Sequence, residues 1–161
     1  MKNKMTEKLF ELAYTDSMTE VQNRNAYEER LKMLRKPSSN ISRITVIVVD
    51  VNGLKEINDS YGHFCGDDAI KTVAKALRDT IGLKADIFRI GGDEFVCISE
   101  SNVLPHISQF KDTIYFINNE KLYNLSVSIG YSRFHEKYSK SIDDIICRAD
   151  EKMYMDKKSK K

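Results

Sequence analysis

Residues 44–49 read Ile-Thr-Val-Ile-Val-Val, an unbroken β-branched run. Branching at Cβ favours extended backbone, and a strand carrying apolar side chains on both faces has to be covered on both. The run therefore predicts a strand buried between helical layers. It ends on a carboxylate, Asp50, which apolar surroundings do not welcome unless it is paired or has work to do.

The flanking segments supply the layers. Residues 1–14 are dense in Lys and Glu with Met5, Leu9 and Leu12 at helical spacing, an amphipathic lead-in helix. Residues 25–36 carry Tyr27, Leu31 and Leu34 on one stripe, stopped by Pro37-Ser38-Ser39-Asn40. Residues 66–81 repeat apolar positions at helical spacing from Ala69 to Ile81. Two strand-like runs, 86–90 and 93–99, flank Gly91-Gly92, and a two-residue Gly-Gly between apolar runs predicts a hairpin whose central residues both take positive φ. A helix over 103–117 and an alternating run over 122–134 follow, then a last helix opened by Ser141 with Asp144 in the capping-box position. This order predicts an α+β, ferredoxin-like mixed sheet with a β-hairpin, surrounded by helices. No G-x-G-x-x-G opens a helix after the first strand, which excludes a dinucleotide-binding Rossmann unit.

At 161 residues the chain is expected to form one domain, with 1–15 as lead-in helix and 16–161 as core. Its 26 Lys+Arg and 24 Asp+Glu leave a net charge of +2, too small a field for a nucleic-acid binder. Cys65, Cys97 and Cys147 form no C-x-x-C pair, so free thiols and a cytoplasmic setting are expected. No apolar stretch approaches the roughly 20 residues that span a bilayer, so direct membrane contact is not expected.

Three acids lie where chemistry is plausible: Asp50 at a strand end, and Asp93 and Glu94 at the glycine hairpin. Side by side they would make a hard-oxygen site for Mg²⁺ or Mn²⁺, with open positions for phosphate. Consecutive strand residues face opposite ways, so Asp93 and Glu94 divide roles, and spacing alone leaves open which of them faces Asp50. Asp-Glu beside Gly-Gly is equally the composition of a solvated turn. Between strand and helix, Lys55, Asn58, His63 and Asp67 form a polar constellation suited to a nucleotide. An amide and a carboxylate can read the acceptor and donors of guanine, although Asn58-Asp59 also reads as a turn and Asp67 as a helix N-terminal acid.

Arg89-Ile90-Gly91-Gly92-Asp93-Glu94-Phe95 resembles the signature of the GGDEF family of diguanylate cyclases. Four further stretches resemble that family's motifs in order: 16–24 its D-x-L-T-G-L-x-N-R, 50–59 its D-x-D-x-F-K-x-x-N-D, 61–67 its Y-G-H and G-D, and 126–130 with 149–157 its closing S-x-G and A-D-x-A-x-Y-x-A-K. The resemblance implies that Asp50, the Val51 carbonyl and Asp93 bind divalent metal, two ions per site, and that Asp93 or Glu94 deprotonates the attacking 3′-hydroxyl. It implies that Asn58 and Asp67 read guanine with His63 in the same pocket, that Gly91 and Gly92 border the substrate, and that Lys55, Lys157 and Lys161 meet phosphate. The implied reaction joins two GTP into cyclic di-GMP and two pyrophosphates across a homodimer, downstream of a sensor domain. The implied alternative is an inactive GGDEF-like module that binds GTP or a protein partner.

The departures are Glu20 for glycine, Asn52 for the second Asp, Leu54 for the aromatic before Lys55, and Asp156 for the alanine before Lys157, an extra acid beside a phosphate lysine. Gly82-Leu83-Lys84-Ala85 stands where relatives carry an inhibitory R-x-x-D, so little product inhibition is expected through this surface.

Overall fold

A computed structural model describes residues 2–160, with side chains described over 7–160; the called residue Lys161 lies outside them. The β-branched run forms β1 (Thr45–Val51), and all of its residues are buried. It is internal to the sheet and covered by helices on both faces: with β2 (Asp86–Arg89), β3 (Glu94–Ser99) and β4 (Val127–Arg133) it forms a sheet of order β2-β3-β1-β4. Ile47, Val49 and Val51 face a core shared with α3 (Leu54–Tyr61), α4 (His63–Thr80) and α5 (Leu104–Asn118). Val46 and Val48 face a second core under α2 (Arg24–Leu34) and α6 (Ile142–Ser159). The α+β ferredoxin-like class holds, but the sheet is antiparallel throughout instead of mixed. β1 and β2 run the same way across the α3–α4 crossover, and β3 folds back between them, so every pairing among the four strands is antiparallel, while an isolated bridge from Gln22 to Phe88 is parallel.

Other local expectations are corrected by packing. The helix expected over 66–81 starts at His63, and α3 occupies a stretch read as a loop. Only Ile57 of α3 is buried, so no apolar stripe advertises the helix, and Gly62 at φ 86° separates it from α4. The alternating run 122–134 is strand only from Val127. Before that, Tyr123 and Leu125 alternate because they bury beneath a loop, with the Leu125 N–H donating to Asn118 Oδ1 at 2.6 Å. Neither Gly91 nor Gly92 takes positive φ. The Ile90 N–H donates to the Glu94 carbonyl at 3.0 Å, so the loop has three residues and needs no mirror-image turn. The Ser141–Asp144 capping box forms as expected, and the three cysteines are free. On α1 (Lys2–Tyr14), Leu9 and Leu12 of the expected stripe are exposed.

β4 is an edge strand, and α6 seals it. Arg148 and Lys152 donate to the carbonyls of Arg133 and Tyr131, both at 3.1 Å. Asp156 accepts from the Ile129 N–H and Lys160 donates to the Val127 carbonyl, both at 2.8 Å. Four residues of helix rise about 6 Å and two residues of strand about 6.7 Å, so a row spaced by four on α6 keeps step with alternate residues of β4. This occupies an edge that would otherwise invite pairing with another chain. The helix approaches so closely that a Cβ on Gly130 would lie 2.0 Å from the Ala149 carbonyl oxygen and 2.1 Å from the Met153 nitrogen. Asp156 thus serves the strand edge.

Gly130→Ala is expected to cost about 3 kcal/mol or more, because two backbone atoms stand in the way. Glu20 sits at φ 61°, left-handed space that a non-glycine residue occupies at a cost. Its ion pair with Arg78 is long, at 3.5 Å, and the glutamate is mostly exposed. Glu20→Gly is therefore expected to stabilise by roughly 0.5–1 kcal/mol after the entropy of the unfolded glycine is offset. Urea unfolding midpoints check both; a neutral Gly130→Ala would contradict the packing account.

Candidate active site

The site begins with the burial of Asp50, 4% exposed near the end of β1. Strand alternation sets it on the face of Val46 and Val48, towards α6, where Lys157 Nζ meets its Oδ1 at 2.7 Å. The register places Glu94, not Asp93, directly across from it. Burial pushes the Asp50 carboxyl up, and the nearby charges of Asp93 and Asp150 push it further, against the pull of Lys157. Glu94 is likewise raised, by burial first and then by Asp93, Asp50 and Asp150. The Lys157 ammonium is strengthened by its bond to Asp50. Asp50 shifts upward chiefly because it is buried, with Asp93 and Asp150 adding to it, and Lys157 shifts upward because it is bonded to Asp50, so acids outnumber the one bonded lysine. That surplus is the condition under which a divalent cation fits.

Among the described residues, no three His, Cys, Asp or Glu side chains converge as a ready-made chelate. The available donor set is mixed: two carboxylates, Asp50 and Asp93, with the Val51 main chain, whose N–H bonds the Asp93 carbonyl at 2.9 Å and ties the glycine turn to β1. The turn is held from the other side by Arg89, which donates to the Gly92 carbonyl at 2.8 Å and to Asp16 at 3.1 Å. Asp16 lies just beyond α1, so one guanidinium joins the lead-in segment to the signature loop. Asn52 donates to Ser126 Oγ at 3.1 Å and accepts from Ser128 Oγ at 2.7 Å. The Asn52 amide thus uses both its donor and its acceptor to bridge two serines.

A cleft of about 650 Å³ opens beside this cluster and is lined by Val51, Lys55, Asp93 and Lys157. Asn58, His63 and Asp67 do not line it. Asn58 lies on the other flank of α3, where its Oδ1 would be 1.9 Å from a Cβ on Gly66, so that glycine lets the amide rest against α4 one residue from Asp67. His63 and Asp67 are exposed on the first turns of α4. Gly91 and Gly92 stand at the tip between Ile90 and the acids; a Cβ on Gly92 would meet nothing within 4 Å, leaving the backbone open to approach. The geometry thus divides into a lysine-rimmed cleft and an amide–carboxylate pair outside it, between α3 and α4. Sequence reasoning missed Asp150, Asn124, Ser126 and Lys160. The helical spacing of Asp150 and Lys157 could have revealed the first, whereas the loop before β4 carries no periodic signal.

Residues 13–161 match the family described as diguanylate cyclase, GGDEF domain. The chain is 31% identical over 153 residues to the probable diguanylate cyclase DgcI of Escherichia coli K12, covering 94% of this chain and 33% of that protein. It is 31% identical over 170 residues to a diguanylate cyclase of Vibrio cholerae, covering 96% of this chain and 50% of that protein. The chain therefore spans between a third and a half of these relatives. In fold it resembles the diguanylate cyclase SiaD of Pseudomonas aeruginosa, solved in complex with its activator SiaC, at TM-score 0.81 and 22% identity over 99% of this chain and 64% of that one. It also resembles the coiled coil and GGDEF domain of DgcB from Caulobacter crescentus, solved in complex with c-di-GMP, at TM-score 0.80 and 22% identity over 98% of this chain and 87% of that one.

Because the folded Glu94 carboxyl binds its proton more tightly than the unfolded one, ionising it opposes folding. Glu94→Gln is expected to raise the melting temperature at neutral pH, with the gain fading as pH falls through the ordinary glutamate range. Melting curves across pH check this; destabilisation at neutral pH would contradict the surplus-charge account.

Proposed function

Given that the chain belongs to the GGDEF domain family of diguanylate cyclases, we propose that it condenses two GTP molecules into cyclic di-GMP at the interface of a homodimer. In each half-reaction the 3′-oxygen of one GTP bonds to the α-phosphorus of the other. The bond to pyrophosphate breaks, and the 3′-proton passes to a carboxylate. The observation that carries this reading is the pairing of Asp50 with Glu94 across the ladder, beside a cleft lined by Asp93, Lys55 and Lys157.

Asp50, the Val51 carbonyl and Asp93 would hold Mg²⁺ or Mn²⁺, two ions per site, which when bound supply the positive charge that neutralises the phosphates. Glu94, raised by burial and by its acidic neighbours, takes the hydroxyl proton. Lys55 and Lys157 steady the phosphates, while Gly91 and Gly92 offer bare backbone beside them; Lys161 is assigned to the same task from the family pattern. The Asn58 amide donates to and accepts from the guanine edge and the Asp67 carboxylate accepts from it, with His63 beside them. Adenine would leave these groups mispaired, so GTP is the expected substrate. One chain provides one half-site, which makes the second copy part of the mechanism.

Residues 16–161 act as the catalytic core and 1–15 as the joint to an upstream sensor. Leu9, Phe10 and Leu12 are 61–70% exposed on α1 and offer that joint an apolar face. No helix among the described residues is long and apolar enough to cross a membrane. The three unpaired thiols suit a reducing cytoplasm. Leu83, 99% exposed where relatives place the inhibitory arginine, supports weak product inhibition.

Incubation with GTP and Mn²⁺ should yield cyclic di-GMP and pyrophosphate, and specific activity should rise with protein concentration as the dimer forms. Losing a general base costs roughly 10²–10⁴-fold, so Asp50→Ala and Asp93→Ala, which also remove metal ligands, should lose more. GTP bound without turnover would contradict the reading, as would near-normal activity in folded Asp50→Ala.

A further inference from the structure

The cleft extends past the phosphate lysines into a lobe that the proposed pose of GTP leaves empty. Ile57, Ser60 and Tyr61 of α3 line it, at helical spacings of three and four, and so share a flank. Asn58 does not line the cleft and rests instead against Gly66. A base read by Asn58 and Asp67 therefore lies outside the cleft wall that Tyr61 forms. The 650 Å³ cleft lies within the range of about 300–1,000 Å³ typical of sites for small organic ligands.

The walls of the lobe describe what would fill it. Tyr61 is 51% exposed, and its ring is backed by Tyr123 at a centroid distance of 6.3 Å. Tyr123 is buried and donates its hydroxyl to Asp68 at 2.6 Å, which fixes the platform. Asn124 and Ser126 form the facing wall, and Lys55, Lys157 and Lys160 complete the rim. An aromatic face beside amide and hydroxyl groups suits a planar heterocycle, and the lysines suit a polyphosphate. Stacking accepts any base, and groups that both donate and accept do not separate adenine from guanine.

We propose that this lobe is a second base subsite, in which a nucleoside triphosphate lies reversed, its phosphates on Lys55 and Lys157 and its base against Tyr61. The inference rests on the reading that Asn58 and Asp67 hold the guanine of substrate GTP. Adenine, rejected by that pair, is directed to the lobe. Since the two poses share the phosphate lysines, ATP is a competitive inhibitor of GTP turnover and not a substrate, and activity falls as the ratio of ATP to GTP rises.

The test is calorimetric titration of ATP and of GTP into the full chain with Mg²⁺ present. It compares the natural protein with Ser60→Phe, which fills the lobe, with Tyr61→Leu, which removes the stacking face, and with Asp67→Ala. ATP should bind the natural protein, and each lobe variant should weaken it roughly tenfold or more while leaving GTP within about threefold. Asp67→Ala should weaken GTP and spare ATP. Absence of ATP binding at millimolar concentration, or ATP affinity unmoved by both lobe variants, would overturn the proposal. ATP weakened by Asp67→Ala alone would also overturn it, because adenine would then share the guanine pocket. If the lobe variants weaken both nucleotides and Asp67→Ala weakens neither, the lobe stands as a base site and the Asn58–Asp67 assignment falls.

Discussion

The structure turns on a carboxylate that cannot reach water. Asp50 is buried because β1 is paired at both edges and packed by helices on both faces, the covering that its β-branched side chains require. An isolated buried carboxylate is strongly disfavoured, so an opposing charge has to come to it. Lys157 does so from α6, at 2.7 Å. The same strand end draws in Glu94 across the ladder and Asp93 through the turn, and one lysine no longer balances the cluster. The fold thus stores an unmet demand for positive charge beside the lysine-rimmed cleft.

That demand is useful only if Lys157 is held in register, and α6 is fixed by more than its apolar stripe. The row Arg148, Lys152, Asp156, Lys160 bonds the outer edge of β4 at every second residue, and Gly130 admits the helix backbone against the strand. Lys157 follows Asp156 directly and is therefore positioned by the strand edge as well as by Asp50. Asn52, bonded to Ser126 just before β4 and to Ser128 within it, ties the end of β1 to the start of that strand. Two of the departures from the family pattern, Asn52 and Asp156, thereby belong to the support of the site.

What could be read in the sequence follows from what burial writes into it. The central strand, α4 and the capped α6 are legible because each buries a continuous or periodic apolar set. α3 is not, since only Ile57 is buried. The run 122–126 imitates a strand because Tyr123 and Leu125 bury under a loop, a contact that local pattern cannot tell from sheet pairing. In the site, motif order is enough to single out Asp50, Asp93 and Lys157. That Glu94 faces Asp50 depends on ladder register, and the contribution of Asn124 and Ser126 depends on where a loop without periodicity comes to rest.

The central claim is that Asp50 sits in surplus negative charge that a divalent cation relieves. Thermal unfolding of the natural protein and of Asp50→Asn, followed across a Mg²⁺ titration without nucleotide, tests it most directly. The account predicts that Mg²⁺ raises the melting temperature of the natural protein in a saturable way, while the variant melts higher than the natural protein in the absence of Mg²⁺ and does not respond to the ion. Equal Mg²⁺ responses in the two proteins, or a variant that is less stable without the ion, would contradict it.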